Sequence, residues 1–355
     1  MSRRFLASVS TLAVAIAVVP LASVRVAGQA PAAAAAPKPA AAAKPGPAAK
    51  PAAAANSGKA LRTPWGDPDL QGFWATPSTV ATPLERPTGL EKEVLTDEEV
   101  AEREAWVKNR RDTSAQVSRF NPRPDPVGNY NDFWTPEEAK MSNRTSLIVD
   151  PPNGRVPPLT PEAQKLAAAE AAARRQRGPV DNPEDLGVWS RCIARVGAPI
   201  VPGPYNNNYQ IVQSPGYVAI IAEVLDTRII PLDGRPHVPS SVRHWLGDSR
   251  GHWEGSTLVV ETTNFSDKVS FRGSGENLRL IEKFTRSAAN KLEYEFTVDD
   301  PTTFTRPWTA ANTMTTLDGA TYEYACHEGN ESMLSSLTGA RGDDKAAAEA
   351  AAKKQ

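Results

Sequence analysis

Three charged residues interrupt rows of apolar side chains at the spacing of a β-strand. Leu278, Leu280, Glu282 and Phe284 would share one strand face, and so would Ala219, Ile221, Glu223 and Leu225, because side chains two residues apart point the same way. Arg228 stands ahead of Ile230 and Leu232 in the same manner. A charge facing a core must be paired or meet a ligand, since an unpaired buried charge costs several kcal/mol. Glu223, Arg228 and Glu282 are therefore the leading candidates for a ligand-facing site. Two carboxylates and a histidine could also run the acid–base chemistry of a hydrolase or isomerase. The plainer alternatives are a structural ion pair, or outer faces covered by the rest of the chain.

The chain has four histidines, His237, His244, His252 and His327, with Asp233, Asp248 and Glu254 as sequence neighbours. These types ligate zinc and similar cations. Only His252 and Glu254 have a spacing that would put two ligands on one strand face, so no metal site and no cofactor is assigned. Asn207 lies in the run Tyr205–Tyr209, and Arg235 and His237 flank Pro236; both segments read as strand ends or loops, where binding residues are commonly carried. With His244 they complete the candidate ligand-binding set. Gly247-Asp248-Ser249 resembles the nucleophile block of a family of serine esterases. There the serine leads into a helix, whereas here Arg250 to Gly255 reads as strand and turn. The block is taken as a hairpin turn, and no catalytic residue is assigned.

The elements that must position these residues are mostly strands. From Arg243 to Thr263 turn formers alternate with short apolar runs, the pattern of a tight meander. Strands are expected at 209–213, 217–224, 227–232, 243–246, 251–254, 257–263, 278–286, 291–299, 305–314 and 320–326. With no crossover helices between them, they predict an antiparallel meander closing into an up-and-down barrel, with a β-sandwich as the alternative. Residues 61–190 form an arm. Trp65, Phe73 and Trp74 sit among prolines and should anchor an extended run over another surface. Thr96 with Glu99 forms a capping box ahead of a helix to about Arg111, and Thr135-Pro136 and Thr160-Pro161 each start another. Leu147-Ile148-Val149 suits a short strand before a turn at 151–154.

Composition sets the compartment. Among 355 residues, 40 Lys and Arg balance 41 Asp and Glu to a net charge of −1, which leaves no electrostatic footprint for nucleic acid. Met1-Ser2-Arg3-Arg4 and the apolar run Phe5–Val24 predict a signal peptide over 1–30. Residues 31–60 follow as an Ala/Pro/Lys linker with no apolar face. The sheet domain is expected at 191–338 and a flexible or helical tail at 339–355. The protein is thus expected to be exported, periplasmic or extracellular, with no integral membrane domain after cleavage and no oligomeric state specified. Cys192 and Cys326, its two cysteines, should form a disulfide in an oxidising compartment, contributing about 4–5 kcal/mol in the chain-entropy picture.

Read together, PWGDPDLQGFW, SLIVDPPNGRVPPLT, YNNNYQIVQSPGYV, IIPLDGRPHVP, WLGDSRGHWEGSTLVVETTNF, EFTVDDPTTFTRPW and YEYACHEGN resemble a family of secreted bacterial proteins, without assigned activity, that carry such blocks in this order. The resemblance spans about residues 61–341 and implies no activity, cofactor or catalytic residue. The strand pattern is also similar to lipocalin-like barrels, a likeness of fold alone. The sequence therefore points to an exported, non-catalytic β domain that binds a small molecule or an envelope component. The alternatives are the Glu223/Glu282 enzyme and a structural or interaction module.

Overall fold

Period-two alternation from Asn208 onward builds most of one antiparallel sheet, and two short pieces of the arm complete it. The computed structural model describes residues 61–76, 82–112, 142–177, 180–194, 198–203 and 206–353. The expected signal peptide and linker, the helix at Thr135, and Tyr205 lie outside the described residues. The strands are β1 (Gly72–Ala75), β2 (Ile148–Asp150), β3 (Asn208–Ser214), β4 (Tyr217–Ala222), β5 (Thr227–Pro231), β6 (Asp248–Glu254), β7 (Thr257–Thr263), β8 (Arg279–Ala288), β9 (Lys291–Asp299) and β10 (Trp308–Thr316). Three α-helices are described: α1 (Asp97–Asp112), α2 (Pro161–Arg175) and α3 (Glu331–Ala352).

The sheet runs β5-β4-β3-β1-β10-β9-β8-β7-β6, with β2 also paired to β10, and curls into a nearly closed barrel. Every neighbouring pair is antiparallel. The path holds nine strands. An odd number of alternating strands leaves the two ends, β5 and β6, running in the same direction, so they cannot complete an antiparallel ladder. They meet instead through side chains. A Cβ on Gly251 would lie 2.7 Å from Leu232 and 2.9 Å from Ile230, so any larger residue there would push these β5-side methyls aside.

Inward-facing residues fill the barrel. β8 contributes Leu280, Glu282 and Phe284, β9 contributes Leu292, Tyr294, Phe296 and Val298, and β10 contributes Trp308, Ala310, Asn312 and Met314, all buried. Phe284, Tyr294, Phe296 and Trp308 form a chain of ring contacts extended by Phe271 and Phe304. The arm closes part of the barrel and supplies some of its wall. The expected surface run around Trp74 is corrected here: Gly72–Ala75 is a central strand between β3 and β10, and Trp74 is fully buried. Pro64 and Pro68 precede this strand and do not interrupt its hydrogen bonds. Gln213 fixes the preceding turn, accepting from the Leu70 N–H at 2.6 Å and donating to the Pro68 carbonyl at 3.1 Å.

The arm's helix starts follow the sequence. Thr96 N–H donates to Glu99 at 2.9 Å, and Glu99 N–H donates back to the Thr96 hydroxyl at 3.3 Å; Thr160 caps α2 by accepting from Ala163 N–H. Neither α2 nor α3 buries a residue. Two expected strands are absent. Segment 243–246 forms turns and a single bridge, His244 to Phe265, and β6 starts at Asp248 where a turn was expected. Segment 320–326 is irregular, because β1 and β2 already occupy the free side of β10. Cys192 and Cys326 are at disulfide distance, with Cα atoms 5.7 Å apart. Among the described residues no helix is long and apolar enough to cross a membrane.

Candidate functional site

The charged row on β8 and the one on β5 meet inside the barrel. Glu282 receives two hydrogen bonds from the Arg228 guanidinium, at 2.5 and 3.0 Å, and a third from the Tyr294 hydroxyl at 2.7 Å. Ile200 N–H donates to Tyr294 at 2.9 Å. The bridge spans the lumen, since β5 and β8 are not neighbours in the wall. Burial alone would favour a neutral guanidine, but the Glu282 carboxylate prevails and raises the Arg228 pKa above its usual value. Burial and the same carboxylate push the Tyr294 phenol well up. The group is closed and fully paired, a brace with no vacant acid or base.

A second charged cluster covers the outer face of β6 and β7. His237 Nδ1 lies 2.8 Å from Asp248, and its Nε2 lies 3.5 Å from Glu261. Asp248 also accepts from Val238 N–H at 3.1 Å and from Arg250 at 2.6 Å. Partial burial opposes its ionisation, yet the bonds from His237 and Val238 and the Arg250 charge hold its carboxyl below the ordinary range. Arg250 reaches the Pro236 carbonyl, and Asn264 donates to the Val238 and Pro239 carbonyls. The cluster thus straps segment 236–239 onto the sheet. Ser249, the serine of the esterase-like block, points inward and shares a 2.9 Å hydrogen bond with Thr262; His237 bonds Asp248 on the opposite face.

Between the two clusters the wall opens. At the unladdered junction of β5 and β6, Thr227, Arg228 and Ile229 face His244, Trp245, Leu246, Gly247, Asp248 and Ser249 across a groove of about 380 Å³. Gly247 makes its far lip possible. Its φ is +69°, and a Cβ there would lie 2.6 Å from Thr262 and 2.7 Å from the Thr263 carbonyl. Arg228 belongs both to the groove and to the luminal brace. The His244 imidazole is exposed and makes no hydrogen bond to a described residue, while Ile229 is 67% exposed on the near lip.

The structure thus brings together only part of the candidate set. Arg228 and Glu282 are paired in the lumen, and Arg228 and His244 line the groove. Glu223 is elsewhere: it lies beyond the end of β4 and accepts from Asn208 on the outer face at 2.9 Å. The expectation that Glu223 shares an interior with Arg228 and Glu282 is therefore corrected, and the acid–base constellation of Glu223, Glu282 and a histidine is not assembled. Asn207 is buried, closing a loop by bonding both backbone groups of Gly203. Arg235 is exposed on Asp233 and Tyr217, and it holds the Asp233 carboxyl down at about 2. His237 belongs to the outer strap. Among the described residues no three His, Cys, Asp or Glu side chains converge as metal ligands. Trp245, Leu246 and Tyr294 were missed as site residues. Tyr294 was within reach, alternating with Leu292, Phe296 and Val298. No family model, curated protein or solved structure matches the chain.

Proposed function

We propose that this barrel is an exported, non-catalytic binding domain, and that its ligand, a small molecule or part of an envelope component, is taken up in the groove between β5 and β6. The observation that carries this reading is the contrast between lumen and wall. The lumen is occupied by aromatic side chains and a cross-barrel ion pair, whereas the wall opens at a groove with apolar, aromatic and imidazole surfaces. Ile229, Trp245 and Leu246 there stand against the polar Thr227, Arg228, His244, Asp248 and Ser249, a mixed concave surface that supplies both apolar contact and directed polar groups to a ligand.

Native mass spectrometry of the protein isolated from its own compartment tests the reading. A bound mass should appear. Its occupancy should fall at least about tenfold in His244→Ala and Trp245→Ala, a loss of about 1.4 kcal/mol, and stay unchanged in His252→Ala, whose ring lies on the outer face beside Glu254. A bound mass indifferent to both groove variants would place the ligand elsewhere and defeat the proposal.

A further inference from the structure

We infer that the occupant of this groove is a short extended peptide from another polypeptide, added as a strand against the free lip of β5. The inference rests on the groove being the binding site. Strand parity is its first support: nine alternating strands leave β5 and β6 parallel across the seam. A segment running antiparallel to both would restore alternation where the seam is open, which neither end strand can do for the other.

The backbone supplies the second support. Ala222 N–H donates to Asp226, and Leu232 N–H donates to Gly216, so the even-numbered residues of β5 bond to β4 in the ladder centred between them. Thr227 and Ile229 consequently turn their N–H and C=O groups toward the seam. On β6 the two-residue turn between Glu254 and Thr257 puts the even-numbered residues in hydrogen-bonded pairs with β7, leaving Ser249 and Gly251 to face β5. The lip carries no lysine, and its one inward charge, Arg228, is neutralised by Glu282 across the lumen; its outward side chains are Thr227 and the exposed Ile229, and Pro231 comes only at its end.

The surroundings then set the chemistry of the peptide. Its outward side chain would pack between Ile229 and Trp245-Leu246, so a branched or aromatic residue fits. Its inward side chain would meet the filled lumen at Arg228, so Gly, Ala or Ser fits there. Gly251 packed on Ile230 and Leu232 shuts the seam beyond the groove, confining pairing to Thr227–Ile229. The chain's own Ala30–Ala55 stretch offers no branched or aromatic side chain.

The test pans a random heptapeptide phage library on the full-length protein and measures the enriched peptides by calorimetry. Enriched sequences should alternate large apolar with small residues. Their affinity should drop at least about tenfold when alternate amides are N-methylated, and similarly in Ile229→Pro, which removes an edge N–H not used by β4. Hydrogen exchange should show new protection at Thr227 and Ile229. If Ile229→Pro does not fold, the N-methylated series still decides. Absence of enrichment, or affinity indifferent to N-methylation, would overturn the inference, as would a dimer abolished by Ile229→Pro, which would make a second copy the occupant. A small molecule lost in His244→Ala but retained in Ile229→Pro would overturn the peptide while keeping the groove. A ligand indifferent to all these variants would defeat both.

Discussion

Two charged assemblies sit on the inner and outer faces of the same wall, and burial makes them physically different objects. The Arg228–Glu282 side chains are 4% and 0% exposed, whereas the strap formed by His237, Asp248 and Arg250 keeps between 10% and 24% of its side-chain surface in solvent. In the lumen the desolvation of both ions offsets most of their attraction, so the pair adds little net stability, yet losing one member strands the other. On the outer face water moderates both the gain and the loss. The inner pair therefore acts as a condition on the fold: β5 and β8, distant along the wall, must be correctly placed before either ion can be buried. The outer strap instead fastens a loop to a sheet that is already formed.

The sharpest way to break this comparison is to remove one inner charge. Glu282→Gln should lower stability by about 3–5 kcal/mol, read from urea unfolding, because Arg228 would be left uncompensated. The double replacement Arg228→Met with Glu282→Leu should recover most of that loss, or exceed the parent, since an apolar pair of similar volume avoids the desolvation penalty. A single-variant loss no larger than that of the double variant would contradict the division between brace and strap. Tyr294→Phe should follow at about 1–3 kcal/mol, as the Glu282 carboxylate and the Ile200 N–H each lose a hydrogen-bond partner in a dry interior. A loss near zero would show that water reaches the brace.

Glu282 was legible in the sequence because β8 alternates, with Arg279, Lys283 and Thr285 on the face opposite Leu280, Glu282 and Phe284; Arg228 was legible because it precedes Ile230 and Leu232 at strand spacing, although Ile229 makes the other face of β5 apolar as well. Glu223 was misplaced for the opposite reason. In β4, Tyr217–Ala222, both faces are apolar, with Val218 and Ile220 buried but Ala219 and Ile221 also nonpolar, and a strand without contrast between faces does not reveal its register. The barrel, its antiparallel order and the disulfide pairing followed from turn spacing and from two cysteines. The insertion of β1 did not, since a four-residue strand between prolines has the composition of a surface arm. Gly247-Asp248-Ser249 has the composition of a turn, yet Asp248 and Ser249 become strand because Val238, His237, Arg250 and Thr262 hold them by contacts remote or lateral to the local pattern. The groove was invisible for a further reason: it arises from the parity of the strand count, a property of the whole path.

Asp248 sharpens the comparison from the outer side. Asp248→Asn should cost about 1–2 kcal/mol, the scale of weakened hydrogen bonds to a charged acceptor, and the loss should concentrate in segment 236–239, visible as faster amide exchange at Val238. The sign of its pH dependence is set by a folded-state pKa below the unfolded one. The carboxylate's contribution is complete above the ordinary carboxylate range and disappears as pH falls through the depressed value. Stability measured between neutral and strongly acid pH should therefore decline less steeply in Asp248→Asn than in the parent. An identical decline in both would remove Asp248 from the strap.

The smallest expected effect comes from the pair Asp233–Arg235, and its smallness completes the contrast. Arg235 grips Asp233 through both carboxylate oxygens and reaches the Tyr217 hydroxyl at 3.1 Å, a denser set of contacts than Glu282 makes with Arg228 alone. Contact number would rank it highly; solvent ranks it last. Both side chains are nearly half exposed, so water competes for every bond, salt screens the charges, and ordering the long arginine side chain consumes much of the remaining gain. Asp233 is nevertheless held at about 2, a displacement that reports local hydrogen bonding in a solvated turn. Arg235→Gln should return the Asp233 carboxyl toward its ordinary titration range, observable by carbon-13 NMR of the side-chain carboxyl, while leaving the unfolding midpoint unchanged at neutral pH and moderate salt. A midpoint shift comparable to that of Asp248→Asn would mean that exposure does not separate these pairs, and that the loop after β5 is fastened as firmly as the strap over β6.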